Sequence, residues 1–257
     1  MASAMVKSLL RQKAFSSNDI GCTCGEDPSG PKLAAETGIH YDLHLEHLLR
    51  KADAIVLACK PQQLNTLDPS LEKLLQGRLV ISILAGVPLQ KLDARFYAAR
   101  NIVRAMPNTP GQIGAGMTAY ASRQPLTDHD RTLVQTILGS MGVVIELDES
   151  EIDPVTAVSG SGPAYLFEFT AALQAAAEAT GLKPAVARQL ARETIRGAAL
   201  LMAETGEEAE DLRNAVTSPG GTTEAALKIF QSGDLRGLVS RAVEAAHQRS
   251  RELAENA

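Results

Sequence analysis

Short apolar runs alternate with helical segments over the first 147 residues, and this alternation limits the fold more strictly than any other feature of the chain. Continuous Val, Ile and Leu strands separated by helices are typical of a parallel sheet covered on both faces. The first part of the chain is therefore predicted to be a Rossmann-like, doubly wound α/β sheet. The runs that read as strands are DIGCTC, AIVLACKP, LVISILAG, NIVRAMPNTP, GMTAYAS and VVIEL.

The strand pattern stops near Glu151, and the remainder of the chain reads as four or five Ala-rich helices. We place a domain boundary in the seam at 147–153, which gives an α/β domain over 1–150 and an all-helical domain over 151–257. A helical unit of this size and composition buries little surface alone. It is expected to pair with a second copy, burying Leu200, Leu201 and Leu238 among other positions.

The composition limits which binding partners and which cellular compartment are expected for the chain. The chain has 257 residues, is 45% hydrophobic and carries a net charge of -5, and no apolar run is long enough to cross a membrane. Without a basic surface, nucleic acid is not an expected partner, which leaves small molecules and the protein itself. The N-terminal residues do not form a signal peptide pattern, and an odd, small number of cysteines favours reduced thiols in the cytoplasm.

A metal site is considered and not predicted. Cys22 and Cys24 precede His40, His44 and His47, which together suggest a possible metal cluster. The segment DLHLEHLLRKAD, however, reads as an amphipathic helix with its histidines on the solvent side. The chain has neither an HExxH motif nor a second cysteine pair at zinc-finger spacing.

The usual dinucleotide fingerprint of a doubly wound domain is missing from its expected place. That fingerprint is a first strand, a GxGxxG turn and a helix, whereas this chain starts directly with the helical segment MASAMVKSLLRQ. The GxGxxA match over 114–119 is interpreted as a loop that enters a strand. We expect the beginning of the fold to have been cut off, by truncation or a misassigned start codon, and the chain as given to bind NADH or NADPH poorly.

Two glycine-containing segments in the second half are predicted to open helices. In TAVSGSGPAYLFEF, Ser161 would cap a helix whose first turn carries Pro163; in SPGGTT, Thr222 or Thr223 would cap the next. Helix starts expose free N–H groups that suit an anion. The alternative is that these glycines only let helices cross closely. Because both segments lie in the helical half, we favour a binding site.

These motifs, taken in order, resemble the pyrroline-5-carboxylate reductase family. Each motif alone is weak, but their order and spacing are specific, and the resemblance covers essentially the whole chain. Met1 and Ala2 correspond to the end of the family's GxGNMAxA-type turn. The matching stretches are ACKPQ, ILAGV, VRAMPNTP, SGSGPAY, SPGGTT and AVEAAHQRSREL.

The resemblance implies a reaction and a substrate site. Family members reduce 1-pyrroline-5-carboxylate to L-proline, the last step of proline biosynthesis, with a hydride from NADPH or NADH. Thr156 and Ser161 would be the polar neighbours of the imine ring and carry the catalytic role. The implied cradle for the substrate carboxylate is Ser218, Gly220, Gly221, Thr222 and Thr223.

The resemblance also implies a cofactor site in the first half. Lys60 and Pro61 would border the ribose, while Ala85, Gly86 and Asn108 would lie near the nicotinamide. An acidic Glu26 or Asp27 would favour NADH through the ribose 2′-hydroxyl, but Lys32 is close, so the preference stays open. The residues implied for the cofactor are Met1, Ala2, Cys24, Lys60, Pro61, Ala85, Gly86 and Asn108.

Two other interpretations were weighed. A non-catalytic dimerising remnant of the same family, without its nucleotide loop, would account for the missing fingerprint but not for the retained substrate loops. A reductase of hydroxy or keto acids commonly places a lysine on the helix after the domain boundary, and the segment 164–180 contains none. The preferred prediction is a cytoplasmic reductase that forms a homodimer or higher homo-oligomer, without nucleic-acid or membrane partners.

Overall fold

The computed structural model describes residues 1–25 and 27–256, with side chains described as far as Ala254. The chain divides into two compact units: Met1–Ser161 together with the chain from Ala246 onward, and Gly162–Ala245. The boundary between the units therefore lies after Ser161, later in the chain than the predicted seam at 147–153. The end of the last helix belongs to the first unit. The assignment of separate roles to 1–150 and 151–257 stays a prediction.

Apart from a small two-stranded sheet, the strands of the first unit form one five-stranded sheet with the order β3-β4-β5-β6-β7. The smaller parallel sheet pairs β1 with β2, and β2 was not predicted. The described strands are β1 (Gly21–Cys22), β2 (His40–Tyr41), β3 (Ala54–Leu57), β4 (Leu79–Ser82), β5 (Asn101–Met106), β6 (Gly116–Ser122) and β7 (Gly142–Glu146).

The five-stranded sheet is not entirely parallel, which corrects one part of the prediction. Strands β3, β4 and β5 are parallel, β6 runs antiparallel to β5, and β7 is parallel to β6. The segment 107–115 between β5 and β6 is too short for a parallel crossover, which needs a dozen or more residues. Helix α6 connects β6 to β7 and supplies such a crossover. The Rossmann-like class itself is confirmed.

Helices of the first unit pack against the sheet. The helix predicted from DLHLEHLLRKAD is shorter than expected, and the helix Ser29–Thr37 ends at Gly38, which lies in the left-handed region with φ 74°. The described helices are α1 (Ala2–Arg11), α2 (Ser29–Thr37), α3 (Leu45–Leu49), α4 (Leu71–Leu74), α5 (Leu89–Arg95), α6 (Asp128–Gly139) and α7 (Ile152–Val155).

Two hydrophobic cores lie on opposite faces of the sheet, as strand alternation requires. In β4, Val80 packs into the core that includes Leu92 and Phe96 of the α5 region. Its neighbour Ile81 faces the other core, which contains Met5 of α1 and residues of α6. All four residues of β4 are buried, which explains why the strand reads as a continuous apolar run.

The second unit is helical, as predicted. It contains α8 (Gly162–Ala179), α9 (Pro184–Thr205), α10 (Ala209–Ala215), α11 (Thr222–Ser232) and the first half of α12 (Leu235–Asn256). Leu200, Leu201 and Leu238 are 46%, 49% and 56% exposed in the single chain, so they are available to a partner. Among the described residues no helix is both long enough and apolar enough to cross a membrane.

Candidate active site

The carboxyl ends of three parallel strands bring most of the predicted cofactor residues to one edge of the sheet. The register pairs Leu57 with Ser82 and Ser82 with Arg104, so β3, β4 and β5 end side by side. Lys60 and Pro61 follow β3, Ala85 and Gly86 follow β4, and Asn108 follows β5. This edge is where open α/β sheets bind their ligands.

Lys60 is exposed at this edge and borders the loop after β1. Its backbone N–H donates to Oε1 of Gln63 at 2.9 Å, which starts the short 3-10 helix 61–66. The pKa of Asp27 is lowered chiefly by its hydrogen bonds with Ser29, and the charge of Lys60 adds to the effect. The predicted role of Glu26 falls on a residue outside the described part of the chain.

The remaining cofactor positions of the N-terminal region are half-buried or exposed. The Cys24 thiol, just after β1, lies 3.2 Å from the carbonyl oxygen of Asp27. The carbonyl of Met1 accepts the N–H groups of Ala4 and Met5 at 2.9 and 3.1 Å, so α1 begins at Ala2. The N–H groups of Ala2 and Ser3 precede the first intrahelical hydrogen bond and have no partner within the helix.

Gly86 has a left-handed conformation and lies against the end of α12, a contact that the sequence did not predict. Its φ is +72°, and a β-carbon placed there would lie 3.1 Å from Cβ of Leu253. Beside it, Nζ of Lys91 donates to the carbonyl oxygen of Ala254 at 2.7 Å. The only sequence signal for this contact is the presence of AVEAAHQRSREL among the matching motifs.

The side chain of Asn108 is directed into the protein. It is 9% exposed; Nδ2 donates to the carbonyl oxygen of Ser159 at 3.0 Å, and Oδ1 accepts the N–H of Met117 at 2.9 Å. Both polar ends of the amide are therefore engaged by backbone groups of the chain itself.

The first part of TAVSGSGPAYLFEF forms a π-helix, which the sequence did not predict. The π-helix spans Thr156–Gly160, between α7 and α8, and the N–H of Ser161 donates to the carbonyl of Thr156 at 2.9 Å. Ser161 has helical angles, φ -88° and ψ -23°, so its predicted role as the cap of a new helix is wrong. Pro163 lies in the first turn of α8, as predicted, where a missing N–H is tolerated.

The hydroxyl of Thr156 donates to the carbonyl of Ile152 at 2.8 Å, and its oxygen keeps lone pairs for a further donor. Gly160 lets Met106 approach the π-helix, because a β-carbon there would lie 2.8 Å from Cε of Met106. The end of β5 and the π-helix are thus packed together.

In the second unit, SPGGTT forms a turn that leads into α11. The N–H of Gly221 donates to the carbonyl of Ser218 at 3.0 Å and Gly220 has φ +73°, which fits a type II turn. The N-cap is Gly221, so the prediction that Thr222 or Thr223 caps the helix is wrong. The two threonines occupy the first turn instead, where N–H groups lack helical partners.

A carboxylate of the chain itself already contacts this turn. Oε2 of Glu224 accepts the N–H of Gly220 at 2.9 Å, and the same oxygen lies 3.2 Å from Nζ of Lys228. The N–H of Gly220 is therefore occupied in this structure, and the first-turn groups of Thr222 and Thr223 remain for an added anion.

A buried ion cluster near the end of β5 was missed by sequence reasoning. Arg104 is 3% exposed; its Nη2 donates to Oδ1 of Asp153 at 2.7 Å and its Nη1 to Oε1 of Glu149 at 3.3 Å. Ser250 of α12 donates to the same Asp153 oxygen at 3.1 Å, and the N–H of Leu89 donates to Glu149 at 2.5 Å. An arginine inside an otherwise apolar strand was the available signal.

A Rossmann-like unit followed by a helical unit, with an exposed lysine and small residues after the parallel strands, is the arrangement of two-domain nicotinamide-dependent oxidoreductases. Residues 149–253 match the family model described as pyrroline-5-carboxylate reductase dimerisation, and residues 1–86 match the model described as NADP oxidoreductase, coenzyme F420-dependent. The chain belongs to the pyrroline-5-carboxylate reductase family.

Individual relatives agree over almost the full length. A pyrroline-5-carboxylate reductase from Synechocystis is 37% identical over 256 residues, covering 98% of this chain and 94% of the relative. One from Pseudomonas aeruginosa is 39% identical over 226 residues, covering 87% and 83%. The structure of a Coxiella burnetii pyrroline-5-carboxylate reductase matches with a TM-score of 0.91 at 36% identity, covering 98% of this chain and 94% of that one.

Proposed function

We propose that this chain reduces 1-pyrroline-5-carboxylate to L-proline with a hydride from a nicotinamide cofactor. The observation that carries the proposal is the near-complete match to pyrroline-5-carboxylate reductases, with 37% identity across 98% of the chain. The oxidoreductase class and the family agree with the motifs from which the sequence prediction was made. The helical half, through its dimerisation match, supports a homo-oligomer, and we propose a homodimer as the smallest form.

The reaction requires little from the protein beyond binding and orientation. A nicotinamide cofactor supplies a hydride to the imine carbon, and the ring nitrogen, protonated in the iminium form, becomes the amine of proline. A protonated iminium carbon is already electrophilic, so holding the reactants in place provides most of the rate. This agrees with a site in which the candidate catalytic groups are hydroxyls.

The sheet edge fits a dinucleotide on structural grounds. Ala85 is small and exposed, Gly86 beside it is buried against Leu253, and Lys60 places an exposed cation at the end of β3. In this proposal the backbone of Ala85 and Gly86 borders the nicotinamide and Lys60 attracts the phosphate and ribose portion. Cys24, Pro61, Met1 and Ala2 line the same site by resemblance.

Both NADPH and NADH remain candidate cofactors. The pyrroline carboxylate reductase structure from Plasmodium falciparum, 28% identical with a TM-score of 0.85, contains NADP. In this chain Lys60 and Lys32 would favour a 2′-phosphate, whereas the carboxylate of Asp27 would favour the free 2′-hydroxyl of NADH. A comparison of kcat/KM for the two cofactors decides between them.

For the substrate, we propose that its carboxylate binds at the first turn of α11. The N–H groups of Thr222 and Thr223 and the Thr223 hydroxyl would donate to it, at the positive end of the helix dipole. Ser218, Gly220 and Gly221 shape the turn. Near the imine, Thr156 would accept a hydrogen bond from the ring N–H, since its own proton is donated to Ile152, and Ser161 would be a second polar neighbour.

The direct test is turnover by the purified chain. Oxidation of NADPH or NADH should depend on 1-pyrroline-5-carboxylate, and one proline should form for each cofactor oxidised. A folded, dimeric chain that formed no proline with either cofactor would overturn the proposal and favour the non-catalytic dimerising module.

A further inference from the structure

Pro163 removes the α-helical donor of one carbonyl in the π-helix at Thr156–Gly160. In a regular helix the carbonyl of Ser159 would accept the N–H of residue 163, four positions later. Residue 163 is proline, which has no N–H. A half-buried carbonyl that loses this donor is stabilised by another one, either the N–H of Ala164 in the π-helical pattern or a side chain.

Asn108 supplies that donor from a different element. Its Nδ2 lies 3.0 Å from the oxygen of Ser159, and the opposite end of the same amide, Oδ1, accepts the N–H of Met117 at 2.9 Å. The side chain therefore joins the π-helix to the entrance of β6. With only 9% of its surface exposed, Asn108 is fixed by these two contacts.

A second, independent contact fixes the same junction. Gly160 lies so close to Met106 that a β-carbon would be 2.8 Å from Cε of that side chain. The segment Met106–Asn108 thus contacts two consecutive residues of the π-helix, by packing and by a hydrogen bond. These are the residues that lead directly to Ser161.

We propose that Asn108 is a positioning residue for the substrate-side π-helix and not a ligand of the cofactor. It replaces the N–H that Pro163 lacks and so sets the position of Thr156 and Ser161. The inference deepens the proposed function, because the affected step is the orientation of the imine. The sequence-based role of Asn108 as a cofactor-binding residue is thereby replaced by one that its contacts support.

The first test is kinetic. Asn108→Asp keeps the acceptor for Met117 but sets a carboxylate oxygen against the Ser159 carbonyl, and Asn108→Ala removes both bonds. For each variant we expect kcat to fall about tenfold or more, since an unsatisfied buried polar group costs roughly 1–3 kcal/mol. KM for the imine should rise, whereas KM for the cofactor should stay within about twofold of the wild-type value.

Asn101 provides a matched control at the other end of the same strand. It is 3% exposed, its Nδ2 donates to the carbonyl of Gln124 at 2.9 Å, and its Oδ1 accepts the N–H of Ile102 at 2.8 Å. Asn101→Asp should lower thermal stability with little change in kcat of the folded enzyme. The proposal is overturned if Asn101→Asp and Asn108→Asp lose the same amount of kcat. It is also overturned if Asn108→Asp raises the KM for the cofactor and changes no other kinetic parameter.

The second test is rescue. Pro163→Ala restores an N–H four residues after Ser159, so the double variant Asn108→Ala with Pro163→Ala should recover several-fold of the kcat lost in Asn108→Ala. Amide exchange over 156–164 should rise in Asn108→Ala and fall again in the double variant. Amide exchange does not depend on turnover. An inactive wild-type chain would therefore refute the proposed function, while the exchange rates would still test the role of Asn108. If the double variant instead loses kcat by the product of the two single-variant losses, the positioning role of Asn108 is refuted.

Discussion

Arg104 and Asp153 form a buried ion pair, with Nη2 of the arginine 2.7 Å from Oδ1 of the aspartate and the Arg104 side chain only 4% exposed. Removing one partner of a buried pair leaves an uncompensated charge and costs about 3–5 kcal/mol. Because Asp153 keeps some solvent contact, we expect Arg104→Met to lower the free energy of unfolding by roughly 3 kcal/mol. Denaturant titration measures this loss.

An exposed ion pair in the same unit serves as the control for Arg104. Arg131 lies 2.5 Å from Glu146, and the two side chains are 46% and 36% exposed. Arg131→Met should cost far less than Arg104→Met, because solvent screens an exposed pair. Similar losses for the two methionine variants would contradict the importance assigned to burial.

The pKa of Asp53 predicts a pH-dependent contribution to stability. Hydrogen bonds from His129 and, secondarily, Arg100 hold the pKa of this carboxyl below its ordinary value. A depressed folded pKa stabilises the fold above the unfolded value of about 3.9, and this contribution disappears as the pH falls through the lower folded value. Asp53→Asn should therefore cost up to about 1 kcal/mol near pH 7, because the group is half exposed.

The measurement for Asp53 is chemical denaturation of both proteins at several pH values. The difference between wild type and Asp53→Asn should be constant between about pH 5 and 7 and should shrink below about pH 3. A difference that is the same at all these pH values would show that the substitution acts through packing instead of charge.

Thr223→Val tests the proposed carboxylate site. A hydrogen bond to a charged group contributes roughly 1.5–3 kcal/mol, so kcat/KM for 1-pyrroline-5-carboxylate should fall about tenfold to a hundredfold. Affinity for the cofactor should hardly change. Thr180→Val, which removes a hydroxyl that donates to Ala177 at the end of α8, should leave both parameters near wild type.

Two outcomes of the Thr223 experiment would revise the division of roles. Loss of cofactor binding would assign SPGGTT to the nucleotide site. Unchanged kinetics would mean that the glycines of this segment serve only the turn and the packing of α11.

Gly86→Ala and Gly77→Ala separate backbone strain from crowding. Their φ values are +72° and +70°, but a β-carbon at Gly77 meets nothing within 4 Å, whereas one at Gly86 lies 3.1 Å from Leu253. Both variants should lose roughly 1–2 kcal/mol from the left-handed backbone. Only Gly86→Ala should lose further stability and raise the KM for the cofactor. Thermal melting measures the stability and steady-state kinetics measure the KM. If the two variants behave alike, the contact with Leu253 has no effect of its own.

Local patterns predicted the strands well because burial on both faces forces continuous apolar runs, as in β4. They did not predict the direction of β6, which depends on the length of the 107–115 connection. The π-helix was missed for a different reason. Pro163 after a glycine is typical of a helix start, and the contacts of Asn108 and Met106 with the π-helix join residues distant in the sequence, which local patterns do not show.

The sequence therefore located the candidate site residues without defining their contacts. Lys60, Ala85 and Gly86 do meet at one strand edge, as their positions after parallel strands suggested. The contact of Ser250 with Asp153 joins residues almost a hundred positions apart, and no periodicity in either segment encodes it.

The return of α12 to the first unit has a consequence for dissecting this enzyme. The helical unit is an insertion, since the chain leaves the first unit at Ser161 and rejoins it at Ala246. A fragment that stops at Ser161 would lack the residues that contact Gly86 and Asp153. Fragment complementation, in which a peptide beginning at Ala246 is added back to the 1–161 fragment, should then restore a fold that neither piece attains by itself.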